Sequence, residues 1–283
     1  MYSRAEKVSI VGKVFVYLVL ILWAFYAILP LYWVFTTAFK PQAETQAWPP
    51  TVFPSRLTLQ TFITLFTNSS FRARPFLNSI IISSGATLLA VVLSSLAGYG
   101  FSRFRFPLRR SLLLSLLLIR LLPTLIMIIP LYRIFISYRL YNTYQGLILI
   151  HAVIAAPFCT WLMFGYFESI SYELEEAALI DGCSFVRSLW HVLLPLAAPG
   201  MAAVAIFAWL EAWNDFTNAV VLTSTEAIKP YTVVLYNMIQ ERSFVQWDLL
   251  SAASFVAVVP ILIVFGIFQK YFITGLTQGA LKG

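Results

Sequence analysis

The sequence predicts an all-α, polytopic membrane protein with six transmembrane helices, and three observations carry that prediction. Hydrophobic residues make up 60% of the chain and charged residues only 11%, with a mean hydropathy of +0.83, against roughly a quarter charged in an ordinary soluble domain. The apolar residues fall into runs that meet the ~20 residues needed to cross a bilayer. The basic residues flank those runs instead of forming one patch. The net charge of +7, which in a soluble protein would suggest nucleic acid, therefore reads as a set of topology signals, and nucleic-acid binding is excluded.

The first span is placed at about 14–39, after a short basic segment with Arg4, Lys7 and Lys13. It is too long for a cleaved signal core. Trp33 and Lys40-Pro41 close it with residues suited to a membrane interface, and a polar segment with Trp48-Pro49-Pro50 and Pro54 follows to Arg74. The second span, about 75–101, stops at Ser102 to Arg110, a connector with four arginines and no acid. That density marks the cytoplasm. Span three, about 111–136, carries Arg120, Pro123 and Pro130, and span four covers about 145–166. Spans five (200–222) and six (250–272) flank a second polar segment from Thr223 to Asp248. An even number of spans puts both termini on one side, the cytoplasm, and Pro41 to Arg74 outside. With no internal repeat, low-complexity tract or long linker, residues 1–283 read as a single transmembrane domain.

Residues 168–200, ESISYELEEAALIDGCSFVRSLWHVLLPLAAPG in one run, form the long polar insert of the C-terminal two-thirds. Glu168, Glu173, Glu175, Glu176 and Asp181 crowd its first half, and Arg187 is its only formal base. Ser171 is suited to cap a helix whose first turn gathers acids where the dipole favours them. Leu174, Ala177 and Ala178 share a face of that helix. Asp181-Gly182 breaks it, since Gly tolerates a positive φ. An apolar helical pattern resumes at Phe185, Leu189 and Trp190, and Pro195 and Pro199 punctuate the entry to span five. An amphipathic helix lying on lipid should have a Lys/Arg-rich polar face. This acidic one favours a basic partner.

Other constellations are sparse. No GxxxxGK[ST] occurs, so ATP hydrolysis by that route is excluded for this chain. Cys159 and Cys183 have neither disulfide nor metal spacing, and His151 and His191 lie 40 residues apart, so no metal or other cofactor is expected on this chain. In span five, Glu211, Trp213, Asn214, Asp215 and Asn218 are unusual, because ionisable groups in a membrane are costly and usually face a bundle interior or a wet cavity. The i, i+3, i+4 spacing puts Glu211, Asn214, Asp215 and Asn218 on one helical face. Such a stripe suits a hydroxylated solute, or else it holds helices together. Arg120 is open to the same two readings, as the ion-pair partner of Glu211 or Asp215 or as a cavity-lining residue.

Glu176-Ala177-Ala178, then Gly182 after three residues, then nine residues and Val192-Leu193-Leu194-Pro195, resembles the EAA loop of ABC-importer permeases. The departure is Val192 where Ile is usual. Pro30-Leu31-Tyr32-Trp33, Asn78-Ser79, Phe101-Ser102-Arg103-Phe104, Trp213-Asn214-Asp215-Phe216 and the tail Gln278 to Gly283 extend the resemblance to the carbohydrate permeases similar to the maltose importer's shorter membrane subunit. The resemblance implies a permease of the cytoplasmic (inner) membrane paired with a homologous second permease, two ATPase subunits that bind ATP and Mg, and an extracytoplasmic solute-binding protein. It implies that Glu173, Glu176, Ala177, Ala178, Asp181 and Gly182 dock on the ATPase, with Leu194 and Pro195 completing the motif and Arg187 and Trp190 bracing it against the bundle. A sugar or oligosaccharide cargo is implied, with Glu211, Trp213, Asn214, Asp215 and Asn218 along its path. Another small polar solute is the alternative cargo. An intramembrane enzyme using Glu211 and Asp215 as paired carboxylates, which lacks a nucleophile or metal motif, and an ion channel are the rival classes.

Overall fold

The computed structural model describes residues 10–67, 73–240 and 245–280. Arg4, Lys7 and the Lys282-Gly283 end lie outside them. In chain order the helices are α1 (Ile10–Phe39), α2 (Gln42–Thr45), α3 (Gln60–Thr67), α4 (Arg74–Arg103), α5 (Arg109–Ile119), α6 (Thr124–Ser137), α7 (Tyr144–Ser169), α8 (Tyr172–Ile180) and α9 (Phe185–Ser188). A π-helical turn, Leu189–Leu193, leads to α10 (Leu194–Leu196), α11 (Ala198–Asn214), α12 (Thr217–Leu222), α13 (Tyr231–Gln240) and α14 (Trp247–Ala280). No strand occurs among the described residues.

Among the described residues, four helices are long and apolar enough to cross a membrane: Gly12–Phe39, Arg74–Arg103, Tyr144–Ser169 and Trp247–Phe268. They coincide with expected spans one, two, four and six. Span three is not one straight helix, because α5 and α6 meet at an angle of 95°. Pro123 has no N–H to give and disfavours helical backbone at Leu122. The chain instead closes the end of α5 with tight turns, Leu121 N–H to Leu118 O at 3.0 Å and Leu122 N–H to Ile119 O at 3.1 Å. Span five is also interrupted. Asp215 leaves the helical region (φ −68°, ψ 130°) and ends α11. Its carboxylate then caps α12, accepting from the amides of Asn218 at 3.1 Å and Ala219 at 3.0 Å. Aspartate favours such caps over helix interiors because it competes for backbone donors. Phe185–Leu196 and Ala198–Asn214 form a second bent pair at 75°, so the described helices allow up to six spans if each pair counts as one.

Contacts divide the chain into two compact units, residues 1–70 with 238–256 and residues 71–237 with 257–283. In the larger, α4 and α7 pack along each other and α11 lies against both. Small residues allow that approach: a Cβ added to Gly98 would sit 2.7 Å from Met163 Cβ and 2.8 Å from the Phe164 amide nitrogen. Ala90, Ala152, Ala155, Cys159, Met163, Val204 and Ala208 fill the shared core. In lipid the gain from such packing is close van der Waals contact, since the tails are as apolar as the side chains. A second cluster, Ile82, Phe135, Leu147, Ile150 and Leu222, joins α4, α6, α7 and α12.

Polar side chains clasp one end of this unit. Asn78 donates to the carbonyls of Ala227 at 3.1 Å and Lys229 at 2.9 Å and accepts from Tyr144 OH at 2.5 Å. Ser79 Oγ accepts from the Tyr231 amide at 2.8 Å. These contacts give the Asn78-Ser79 pair a physical reason, for they satisfy buried backbone groups of a loop far away in sequence.

In the smaller unit, Phe35, Phe39, Phe62 and Phe255 form an aromatic cluster with edge-on and tilted rings, the arrangement ring quadrupoles prefer. Lys40 lies over the Trp33 ring at 4.8 Å and donates to the Thr51 carbonyl. Ser55 donates through both its hydroxyl and its amide to Glu44, and these hydrogen bonds hold that carboxyl below its ordinary range.

Candidate functional site

Two places in the larger unit bring polar chemistry together. The first is the polar segment 168–200. Ser171 caps α8, its hydroxyl accepting from the Glu173 amide at 3.2 Å, and Gly182 ends it with a φ of +88°, a conformation only glycine adopts without strain. Ser184 caps the next helix, accepting from the Arg187 amide at 3.3 Å. Leu189, Leu193 and Leu194 are buried against α4 and α7 residues, so the second half of the segment is held by apolar packing.

The acids of the segment separate into two groups. Glu175 turns inward, where one oxygen accepts from Arg103 Nε at 2.7 Å and the other from Tyr99 OH at 2.6 Å. Both charged side chains are almost wholly buried, at 4% and 6% exposure. Arg103 also donates to the Ile170 carbonyl at 3.1 Å and Ser102 Oγ at 3.0 Å, and its guanidinium lies 4.2 Å from the centre of the Tyr172 ring. A buried pair is tolerable when its remaining donors are satisfied in this way. Glu168, at the end of α7, accepts from Arg109 Nη2 at 2.8 Å and Ser102 Oγ at 3.3 Å. Glu173, Glu176 and Asp181 stay exposed, together with Ala177 and Gly182. Ala178 and Leu194 are buried. Arg187 and Pro195 are exposed.

Two expectations are corrected here. Trp190 is 58% exposed and Arg187 also points outward, so neither braces the segment. The leucines do so, because the π turn adds a residue per turn at Leu189–Leu193 and carries Leu189 and Leu193 inward. Ala178, expected on the docking face, is buried, and Glu168 and Glu175 are taken by arginines of the connector. The sequence signal for this was the density of arginine at 103–110, read only as topology. Nothing local links Arg103 to Glu175, 72 residues away.

The second place lies at the break between α5 and α6. Arg120, the residue after α5, donates to Glu211 Oε1 on α11 at 2.7 Å and to Oε2 at 3.4 Å, a two-pronged geometry suited to guanidinium and carboxylate. Its guanidinium also sits 4.8 Å from the Phe207 ring and 5.6 Å from the Phe158 ring. Arg120 and Glu211 face a cavity of about 340 Å³ whose other walls include Thr124, Met127, Val153 and Pro157. Of the two partners offered for Arg120, the structure selects Glu211.

Asp215 and Asn218 do not continue that face, because the helix ends at Asn214. Trp213 is buried: its Nε1 donates to Ala257 O at 3.2 Å and its ring stacks on Trp209 at 4.8 Å. Asn218 is buried too, donating to Asp215 Oδ1 at 2.9 Å. Asp215 also lies 3.9 Å from the buried His151. Asn214 is exposed and donates to its own helix at Leu210 O, 2.8 Å away. The one-helix carboxylate pair that an enzyme reading needs is therefore not assembled, as Glu211 pairs with Arg120 and Asp215 serves as a cap.

An all-α chain with several membrane-crossing helices and a capped, acidic, outward-facing helical hairpin defines a multi-pass membrane protein. The family described as binding-protein-dependent transport system inner membrane component matches residues 90–278. The chain belongs to this family: it is a membrane-spanning permease subunit of an ABC importer. It is 34% identical over 254 residues to the sulfoquinovosyl glycerol transport system permease protein SmoH of Agrobacterium fabrum, covering 90% of this chain and 88% of that one. It is 34% identical over 259 residues to the trehalose transport system permease protein SugB of Mycobacterium tuberculosis, covering 91% and 93%. A chain in the crystal structure of a bacterial ABC transporter involved in import of the acidic polysaccharide alginate has the same fold, with a TM-score of 0.81 at 22% identity, over 96% of this chain and 99% of that one.

Proposed function

We propose that the chain, taken as one permease domain over 1–283, moves a sugar or oligosaccharide across the inner membrane. It works with a homologous second permease, two ATPase subunits and an extracytoplasmic solute-binding protein. ATP and Mg sit on the ATPase subunits, and this chain hydrolyses nothing itself. Both termini and residues 168–200 lie in the cytoplasm. Sugar cargo is supported by the names of relatives at 30% identity or more, among them permeases for trehalose, diacetylchitobiose and arabinooligosaccharides.

The observation that carries the reading is the division of the polar segment into a held side and an offered side. Buried leucines and the Arg103–Glu175 pair fix one side. Glu173, Glu176, Ala177, Asp181 and Gly182, with Arg187 and Pro195 nearby, are presented to the ATPase, while Ala178 and Leu194 set the segment's seat. A carboxylate shielded by a basic partner accepts charge-assisted hydrogen bonds worth roughly 1.5 to 3 kcal/mol each. On the cargo side, Glu211 and Asn214 line the path and Arg120 sets its charge, while Trp213, Asp215 and Asn218 shape the wall from behind.

Glu176→Lys puts like charge against a basic groove and leaves membrane insertion unaffected. Co-purification of the ATPase should fall at least tenfold, and uptake of trehalose, the probe sugar, into ATP-loaded vesicles should fall with it. Wild-type association and uptake in this variant would reduce residues 168–200 to a surface loop.

A further inference from the structure

Both ends of α5 carry an ion pair. At its first residue Arg109 holds Glu168, at the end of α7 beside the polar segment. Just past its last residue Arg120 holds Glu211 at the cavity. Between them lies a rod of about 16 Å at 1.5 Å per residue, with Leu113 as its one buried side chain. Within this chain α5 packs against α7 and buries little of its own surface, and a sharp break follows it at 120–123. By contrast, α4 is packed along its length, and its last residue, Arg103, is buried on Glu175. The polar segment is thus tied through arginines to one helix packed along its length and to one with little packing inside this chain.

We infer that Arg103 and Arg109 are positioning residues for transport. Arg103 fixes the first helix of the docking segment to the end of α4, and Arg109 passes displacement of that segment along α5 to the Arg120–Glu211 pair. This rests on the reading that residues 168–200 dock on the ATPase. The physical basis is the contrast in seating. The Arg103–Glu175 pair is closed to water and hydrogen-bonded on every side, so α8 and the end of α4 move together. The Arg109–Glu168 pair is partly exposed, at 23% and 38%, and ties the start of the segment to a helix whose far end is held by the Arg120–Glu211 pair. Because Arg120 sits at the bend, a tilt of α5 alters its reach to Glu211 and so the opening of the cavity. A packed contact network carries displacement when one of its elements has two arrangements.

The test uses the assembled importer with Cys183→Ser and Met127→Cys, the latter a reporter on the cavity wall, labelled with a membrane-impermeant maleimide with and without ATP. Arg109→Glu and Glu168→Arg should each retain the ATPase but lose at least fivefold of the ATP-dependent change in labelling rate, together with trehalose uptake. The double reversal, Arg109→Glu with Glu168→Arg, should restore both. Glu175→Gln, which keeps shape and hydrogen bonding, should uncouple hydrolysis from uptake while the ATPase stays bound. Wild-type labelling change and uptake in the single Arg109 and Glu168 variants would overturn the inference, as would loss in the singles without restoration in the double. Loss of the ATPase from these variants would also overturn it, because it would place the residues in the docking surface. Failure of the docking reading is seen separately, in Glu176→Lys.

Discussion

Arg120 shows how much one residue decides at the smallest scale. A guanidinium this far along an apolar run is expensive unless paired, and its two-pronged bond to Glu211 at 2.7 and 3.4 Å, with two aromatic rings beside it, supplies the pairing. The side chains remain 32% and 24% exposed and both line the cavity, so the pair is neither fully desolvated nor a free surface bridge. Arg120→Ala should therefore destabilise the solubilised complex by roughly 2 kcal/mol, within the range for truncating one member of such a pair. Adding Glu211→Gln should recover at least half of that, since the orphaned carboxylate is then removed. Adding Asp215→Asn instead should recover nothing, because Asp215 is engaged with the amides of α12. Thermal unfolding in a double-mutant cycle measures this directly, and strict additivity of Arg120 and Glu211 would remove the pair.

Among the elements, the contact of α4 with α7 is the one on which the site depends, since α4 carries Tyr99 and Arg103 and α7 carries Glu168. The two backbones approach where Gly98 meets Met163 and Phe164. Any side chain there meets backbone as well as side-chain atoms, and backbone cannot rotate away. Gly98→Val should cost about 3 kcal/mol or more, the upper part of the overpacking range, and should lower the yield of folded permease in the membrane. Gly182→Val strains a positive φ with open space around it, so it should leave folded yield near wild type and act on ATPase association instead. Reversal of that pattern, with Gly182→Val unfolding the protein and Gly98→Val tolerated, would contradict the packing described.

For the whole molecule, the placement of the polar ends is a consequence of charge density in short connectors. In the proposed orientation, arginines at 103, 105, 109 and 110 keep the α4–α5 connector in the cytoplasm, and the ion pairs of Arg103 and Arg109 hold the start of residues 168–200 beside that connector. A single cysteine at Ser184 should thus be closed to an impermeant label applied outside, and one at Ser55 open to it. Labelling of Ser184→Cys with protection of Ser55→Cys would invert the orientation.

The sequence by itself determined the class and the outline: six apolar runs, the all-helical fold, the Glu176 to Pro195 motif at its fixed spacing, the Ser171 cap and the Gly182 turn. Each of these is set by local chemistry, by side-chain hydropathy, by the backbone freedom of glycine or by a hydroxyl within three residues of an amide. Only the tertiary structure decided which acids face outward, that leucines and not Arg187 and Trp190 seat the segment, and that Glu211 rather than Asp215 answers Arg120. It also decided that Trp213 is packed inside and that spans three and five are broken. Asp215 reads equally well as one more helical turn or as a cap until its neighbours claim its oxygens. Arg103 finds Glu175 only because α4 and α7 bring together residues far apart in the chain. Pairing between distant charges depends on the path of the backbone between them, and no window of sequence contains that path.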